Sequence, residues 1–260
     1  MKKTLAVFMA VPLISSWLVG SVSAQQNLVV NGSFEWGPPG KDEFPGWPWF
    51  GAADNNSDYG VAQSSVSPDV AEDGQYYAYF HGAPTDGSQD CLGQSVNLIV
   101  GAQYNITYYL GTDGTTLGSG AGMWVQIGND FGLSANDVML TAFLPNSSNA
   151  IPYQEFSTNY TATLPNPILS FHGVDPTSSI LLDNVSMTLV LPQLNVSLTP
   201  SNTLTFAWTA WTNGFRLQAT PTLDATNWVT LTNVPSTNGS SNLIVLPTPP
   251  GNSYYRLTLP

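Results

Sequence analysis

From residue 27 onward, the chain consists of short β-type runs separated by Gly, Asn, Asp and Pro, and no window of useful length holds a helical period. In the run Tyr-Asn-Ile-Thr-Tyr at 104–108, alternate side chains point to opposite faces, as in a half-buried strand. Strands spaced by turn signals over about 165 residues predict a two-sheet sandwich or jelly roll. The predicted strands of this part are 28–35, 76–81, 91–99, 103–111, 122–127, 138–143, 153–163, 168–173 and 180–190.

A change of composition near Leu191 divides the chain. Of the 17 acidic residues only Asp224 follows this point, whereas Arg216 and Arg256 both follow it. Six more short runs then appear, at 195–198, 204–208, 215–219, 228–232, 242–246 and 254–259, which suits a small immunoglobulin-like or fibronectin-like module. We therefore predict an all-β protein with a jelly-roll β-sandwich at 25–191 and a small immunoglobulin/fibronectin-like β-sandwich at 192–260.

The first 24 residues have the pattern of a secretory signal peptide. Lys2 and Lys3 form a positive start, an apolar run follows, and Val22-Ser23-Ala24 offers small residues for cleavage. A retained N-terminal anchor is the alternative, although the apolar run is short for a spanning helix and contains Pro12. We expect an exported bacterial protein, secreted or at the cell surface, with no membrane insertion after signal cleavage.

The charge balance excludes several classes of partner. Without the leader, Lys41, Arg216 and Arg256 are the only strong bases against 17 acids. Nucleic acids and anionic membrane surfaces both require Lys and Arg clusters, so we expect neither as a partner. Cys91 is the only cysteine, so there is no disulfide framework, and we interpret it as a small buried hydrophobic residue rather than a reactive thiol.

Two distant carboxylates form a candidate metal site. Glu35 ends the predicted first strand and Asp183 lies in the last, and such strands often lie side by side in jelly rolls. Ca²⁺ takes six to eight oxygen ligands from carboxylates and carbonyls, so these two acids with the Ser33 carbonyl form a candidate set. Alternatively, both are surface acids at strand ends, or Asp183 accepts backbone amides.

Six short motifs occur in an order that resembles a known fold family. They are Asn-Gly-Ser-Phe-Glu (31–35), Pro-Gly-Trp (45–47), Asp-Gly-Gln-Tyr-Tyr-Ala (73–78), Gln-Ser-Val (94–96), Tyr-Asn-Ile-Thr-Tyr-Tyr-Leu-Gly (104–111) and Leu-Asp-Asn-Val (182–185). Residues 27–190 resemble the galactose-binding-like jelly roll, most closely carbohydrate-binding modules of the four-and-nine type. The resemblance implies a structural Ca²⁺ at Ser33, Glu35 and Asp183, with Asn184 where a second acid is typical. The C-terminal part resembles small β modules of secreted bacterial proteins.

Aromatic residues in loops are the candidates for a carbohydrate site. Sugar C–H faces stack on aromatic planes, and sugar hydroxyls bond to polar side chains. Trp47 and Trp49 lie in a Pro-rich loop, Tyr59 lies in a polar loop, and Trp124 follows a glycine-rich loop. For Trp47 we favour the alternative that it packs at a sheet end.

No catalytic constellation is visible in the sequence. The paired acids lie in turn-rich loops, His172 has no Ser or Cys in a nucleophile context, and Gly-x-Ser-x-Gly does not occur. We predict a secreted non-catalytic protein that binds a neutral polysaccharide or other glycan. The alternatives are a structural or adhesive cell-surface protein without a sugar ligand and, third, a glycoside hydrolase with two loop carboxylates.

Overall fold

The structure, a computed structural model, is built from strands. It describes residues 9–10, 26–41, 43–51, 58–64, 70–82, 89–113, 121–131, 135, 137–143, 151–210, 214–223 and 227–259. Within these residues there is no helix, and none that could cross a membrane. The predicted all-β architecture is confirmed. The chain divides into two compact units, one of residues 26–100 and 104–188, the other of 101–103, 189–260 and the N-terminal residues.

The first unit is a jelly-roll sandwich of two antiparallel sheets that share one long strand. Its strands are β2 (Gly40–Lys41), β3 (Trp49–Gly51), β4 (Asp58–Gln63), β5 (Tyr76–Gly82), β6 (Asp90–Ser95), β7 (Gln103–Thr112), β8 (Gly122–Gly128), β9 (Val138–Phe143), β10 (Gln154–Thr161) and β11 (Ile168–Leu189). The front sheet has the order β3-β6-β11-β8-β9, and the back sheet has the order β10-β7-β11-β5-β4-β2. Two predicted strands, 168–173 and 180–190, are therefore one strand that changes sheets.

Residues 28–35 do not form the predicted first strand. The segment begins beside β11, where the Leu28 amide donates to the Met187 carbonyl at 2.8 Å. It then turns, because Asn31 and Phe34 adopt positive φ angles of 50° and 57°. A side chain at Gly32 would meet the Val185 carbonyl oxygen at 1.9 Å, so the close approach to β11 requires glycine. The prediction of a strand at 28–35 was wrong, although the predicted position beside the last strand is correct.

The core of the first unit lies between the two sheets and is rich in aromatic rings. Tyr108 of the back sheet meets Phe171 of the front sheet edge to face, with centroids 5.4 Å apart. Trp47 also contacts Phe171 edge-on at 6.0 Å and stacks on Phe34 at 5.6 Å. Edge-to-face and offset pairs add stabilisation beyond their buried area, about 0.5–1.5 kcal/mol each. The contacts of Trp47 with Phe34 and Phe171 connect the turn of residues 31–36 to the core.

The second unit is a small sandwich of two four-stranded sheets. Its strands are β12 (Asn195–Leu198), β13 (Thr203–Thr209), β14 (Arg216–Thr220), β15 (Val229–Thr230), β16 (Ser236–Asn238), β17 (Ser241–Pro247) and β18 (Tyr254–Thr258). One sheet has the order β12-β13-β17-β16, and the other has β14 between β15 and β18, with β1 (Met9–Ala10) beside β18. Phe206 and Tyr255 meet in its core with centroids 4.4 Å apart. Most of the predicted leader lies outside the described residues, so the signal peptide stays a prediction.

Candidate functional site

The front sheet has a face directed away from the core, which we call the outer face. Leu92, Phe171 and Val125 are paired across β6, β11 and β8 and are fully buried, so their row faces the core. Side chains alternate along a strand, so the rows on either side belong to the outer face. These rows are Gly51–Cys91–His172–Trp124 and Trp49–Gly93–Ser170–Gln126.

Two aromatic side chains flank the middle strand of this outer face. Trp124 on β8 is half-buried. Phe131, in the segment after β8, lies over the glycines of β3 and β6, because a side chain at Gly93 would meet its ring at 3.0 Å and one at Gly51 at 3.9 Å. Neighbouring strands are about 4.8 Å apart, so the backbones of Trp124 on β8 and Gly93 on β6 are roughly 10 Å apart across β11. Sequence reasoning missed Phe131, although a glycine inside a strand is a signal of such close approach.

A chain of polar contacts lies between the two aromatic residues. The Cys91 sulfur is 3.1 Å from His172 Nδ1, and His172 Nε2 is 2.9 Å from the Ser170 hydroxyl. The Cys91 thiol also donates to the Gln89 carbonyl at 3.2 Å. His172 and Ser170 are fully buried. The sequence did not reveal that His172 lies beside Cys91, because only the pairing of β6 with β11 brings together residues 81 positions apart.

Both titratable groups of these rows are uncharged near neutral pH. Burial, reinforced by the neighbouring Asp90, raises the pKa of the Cys91 thiol to about 12. Burial also lowers the pKa of His172 to about 4. The thiol is therefore not a thiolate, and the imidazole is not a cation, so the pair is not an activated nucleophile. These rows therefore carry polar groups without a charge near neutral pH.

The four aromatic residues predicted for carbohydrate binding have different positions. Trp47 and Tyr59 are buried at 1% and 2% exposure. The Trp47 indole donates to the Asn31 carbonyl at 3.0 Å, and Tyr59 packs on Phe44. Neither ring has a face for a ligand, so both are removed from the predicted set, and the packing interpretation of Trp47 fits its position.

The backbones of Trp49 and Trp124 lie in the same sheet. Trp49 pairs with Gly93 and Trp124 pairs with His172, which places them in the two adjacent outer rows. The side chain of Trp49 lies outside the described residues, so its role in binding stays a prediction. Trp124 is therefore the predicted binding residue whose half-buried side chain lies on the outer face.

Two of the predicted metal residues, Asp183 and Glu35, contact one turn, residues 72–76. Asp183 is fully buried, and its Oδ2 accepts the backbone amides of Glu72 at 2.8 Å and Asp73 at 3.0 Å. Its Oδ1 accepts the amide of Asn184 at 2.7 Å. Burial raises the pKa of Asp183 to about 7, and Glu72 adds to the rise, against the effect of the three amide hydrogen bonds.

Glu35 contacts the same turn from the other side. Its Oε1 accepts the backbone amides of Gln75 and Tyr76, each at 2.7 Å. Gly74 lies at the centre of the turn with a φ of 71°, and a side chain there would meet the Glu35 carboxyl at 2.4 Å. The two carboxylates therefore contact the same turn, and both accept backbone amide hydrogen bonds there.

Glu35 and Asp183 alone provide too few carboxylate oxygens for a Ca²⁺ site. Within the described part of the chain, no group of three or more His, Cys, Asp or Glu is placed to hold a metal ion. Two carboxylates are too few for six to eight oxygens, so a bound ion would also need backbone carbonyls such as that of Ser33. The set Ser33, Glu35 and Asp183 stays a prediction.

The chain is similar to solved structures of carbohydrate-binding modules. They include a CBM4 structure (20% identity, TM-score 0.38, covering 62% of this chain and 99% of that chain) and a CBM61 in complex with β-1,4-galactotriose (15%, 0.42, 64% and 99%). The K1 cleaved adhesin domain of Lys-gingipain from Porphyromonas gingivalis is also similar (11%, 0.36, 51% and 84%). No family model and no curated protein matches the chain. At these identities and TM-scores, the similarities carry no argument about a ligand.

Proposed function

We propose that this protein is a non-catalytic carbohydrate-binding protein that holds a neutral polysaccharide on the outer face of its front sheet. The observation that carries the proposal is an uncharged face on which Trp124 and Phe131 flank the buried chain of Cys91, His172 and Ser170. We also expect the protein to be secreted and to hold a structural Ca²⁺ at Glu35 and Asp183.

Each part of the face has a role that follows from sugar chemistry. Trp124 and Phe131 are half-buried, so each ring keeps exposed surface on which the C–H face of a pyranose can stack. The strands β8 and β6 are two strand spacings apart, roughly 10 Å, and this width is enough for a sugar ring above β11. Below them, His172 and Ser170 are buried and hydrogen-bonded, so they hold the floor rigid rather than contact the ligand.

The absence of charge on the two outer rows favours a neutral ligand. Acidic glycans need cationic donors, and the described residues of these rows include none at neutral pH. A glycosidase needs two carboxylates across the scissile bond, and these rows carry no acid either. Binding without hydrolysis is the function that this arrangement supports best.

Binding is tested with affinity electrophoresis through soluble β-glucan, xylan and galactan, together with pull-down on insoluble cellulose. We expect retention by at least one of these neutral polymers. Trp124→Ala and Phe131→Ala should each weaken it about tenfold or more, because a lost aromatic contact costs about 1.4 kcal/mol or more. Trp36→Ala is the matched control, since Trp36 is 62% exposed but lies in a turn and not on the outer face.

Two results would overturn the proposal. One is wild-type protein that is retained by none of the neutral polymers, which would favour a structural or adhesive role. The other is retention that Trp124→Ala, Phe131→Ala and Trp36→Ala change equally. Release of reducing sugar by the wild-type protein would contradict the non-catalytic part and favour a hydrolase.

A further inference from the structure

The second unit carries its two arginines on one face of one sheet. Arg216 on β14 pairs with Thr258 on β18, and Arg256 on β18 pairs with Gln218 on β14. The two arginines are therefore diagonal neighbours on the same side of two adjacent strands. Residues in this relation are about 7–8 Å apart at their backbones, within reach of long side chains. We call this surface the arginine face.

Arg256 is held in place by Gln218 on the adjoining strand β14 and by Trp228, which precedes β15. Its Nε donates to the Gln218 side-chain oxygen at 2.8 Å, and Gln218 in turn donates to the Thr230 hydroxyl at 3.0 Å. Its guanidinium carbon lies 4.2 Å from the centre of the Trp228 ring. A cation stacked on an aromatic ring gains about 0.5–1 kcal/mol at exposed sites. The guanidinium is thus oriented before any ligand arrives.

No acidic side chain competes for these guanidinium groups within the described part of this unit. Residues 192–260 contain a single acid, Asp224, which lies outside the described residues. Arg256 uses Nε for Gln218, which leaves its two terminal nitrogens for another acceptor. Arg216 is exposed. In a chain of net charge −12, this is a local concentration of positive charge.

We propose that the arginine face binds an anionic glycan through its carboxylate or sulfate groups. A guanidinium presents paired N–H donors that match the oxygens of a carboxylate or sulfate, and two of them on a flat sheet suit a polymer with repeated anionic groups. Gln218 and Thr230 add neutral hydrogen-bonding groups for sugar hydroxyls beside the charges.

A glycan suits this surface better than a protein partner does. A stable protein interface buries about 800 Å² on each side around an apolar centre. The rows that carry Arg216 and Arg256 are instead polar, with Thr258, Gln218 and Thr230 as their other members. The inference is independent of the neutral ligand proposed for the first unit, because it concerns a different unit and an opposite ligand charge.

The test is affinity electrophoresis of the full chain through polygalacturonate, which carries carboxylates, and dextran sulfate, which carries sulfates, with uncharged dextran as the reference. We expect retention by at least one polyanion at about 50 mM salt, weaker retention at about 200 mM, and none by dextran. The polymer that retains the protein shows which anionic group is recognised. Arg216→Ala should weaken retention about tenfold, as expected for a lost charge-assisted hydrogen bond.

Control variants separate this test from folding and from the neutral ligand. Lys41→Ala removes the same charge from the first unit and should leave polyanion retention unchanged. Arg256→Lys keeps the charge but loses the paired donors, so it should also weaken retention. Arg216→Ala should retain neutral polymers like the wild type, and Trp124→Ala should retain polyanions like the wild type.

Three outcomes would overturn the inference. The first is no retention by either polyanion at about 50 mM salt. The second is Arg216→Ala behaving as Lys41→Ala does. The third is salt-sensitive self-association in sedimentation velocity, lost in Arg216→Ala, without polyanion binding, which would assign the arginine face to a second copy of the chain.

Discussion

His172 makes the stability of the first unit depend on pH in a direction that the structure determines. The imidazole is fully buried on β11, and the groups that face it are Cys91 on β6 and Ser170 on its own strand, with Trp124 paired beside it on β8. None of these groups is an acid that could stabilise an imidazolium. Burial therefore lowers the pKa of His172 from 6.5 to about 4 in the folded protein.

The sign and size of the effect follow from linkage. Between about pH 4 and 6.5 the unfolded chain binds a proton at this position and the folded chain does not, so acid favours unfolding. Each pKa unit corresponds to about 1.4 kcal/mol, and the shift of about 2.5 units gives about 3 kcal/mol. The free energy of unfolding should rise by about this amount from pH 4 to pH 6.5 because of His172 alone.

The measurement is urea unfolding followed by tryptophan fluorescence at several pH values from 4 to 7.5. His172→Gln keeps a polar, neutral side chain between Cys91 and Ser170, so its profile should be flatter than the wild-type profile by about 3 kcal/mol over this range. His81→Gln on β5 is the matched control, since it removes the only other histidine. Parallel profiles for the wild type and His172→Gln would refute the reasoning.

Two further predictions concern the turn at residues 72–76. If Ca²⁺ binds at Glu35 and Asp183, calcium should raise the melting temperature by several degrees over EDTA, because a ligand at about 100 times its Kd stabilises the folded protein by about 2.7 kcal/mol. Asp183→Asn should abolish the rise. An unchanged wild-type melting temperature would mean that the two carboxylates serve only to accept backbone amide hydrogen bonds. Gly74→Ala should destabilise the fold by more than Gly239→Ala, as judged by urea midpoints. Both positions have positive φ, but only at Gly74 would the new methyl meet the Glu35 carboxyl, at 2.4 Å; equal losses would contradict this.

Local pattern was enough to place most strands. The predicted 138–143 and 195–198 match β9 and β12, and the predicted 103–111 differs from β7 by one residue. The runs at 103–111 and 195–198 alternate side chains between two faces, and 138–143 is a short apolar run, so neighbouring residues alone indicate strands. The run at 28–35 also begins with strand-forming residues, but it contains the turn signal Asn31-Gly32, and Asn31 and Phe34 adopt left-handed conformations. The short β2, β3 and β16 were missed because two or three residues hold no period. The prediction that Tyr59 lies in a polar loop was wrong, since Tyr59 belongs to the strand β4.

The all-β character, the change of composition near Leu191 and the position of residues 28–32 beside the last strand could be predicted from the sequence. These follow from local propensity, charge counts and chain order. Strand pairing was needed to place Trp124 on the outer face, whereas the burial of Trp47 was already favoured by the sequence. Only the tertiary structure decided the contact of Cys91 with His172. The physical reason is register: pairing of distant strands sets which residues become neighbours, and a shift by one residue would turn each side chain to the opposite face.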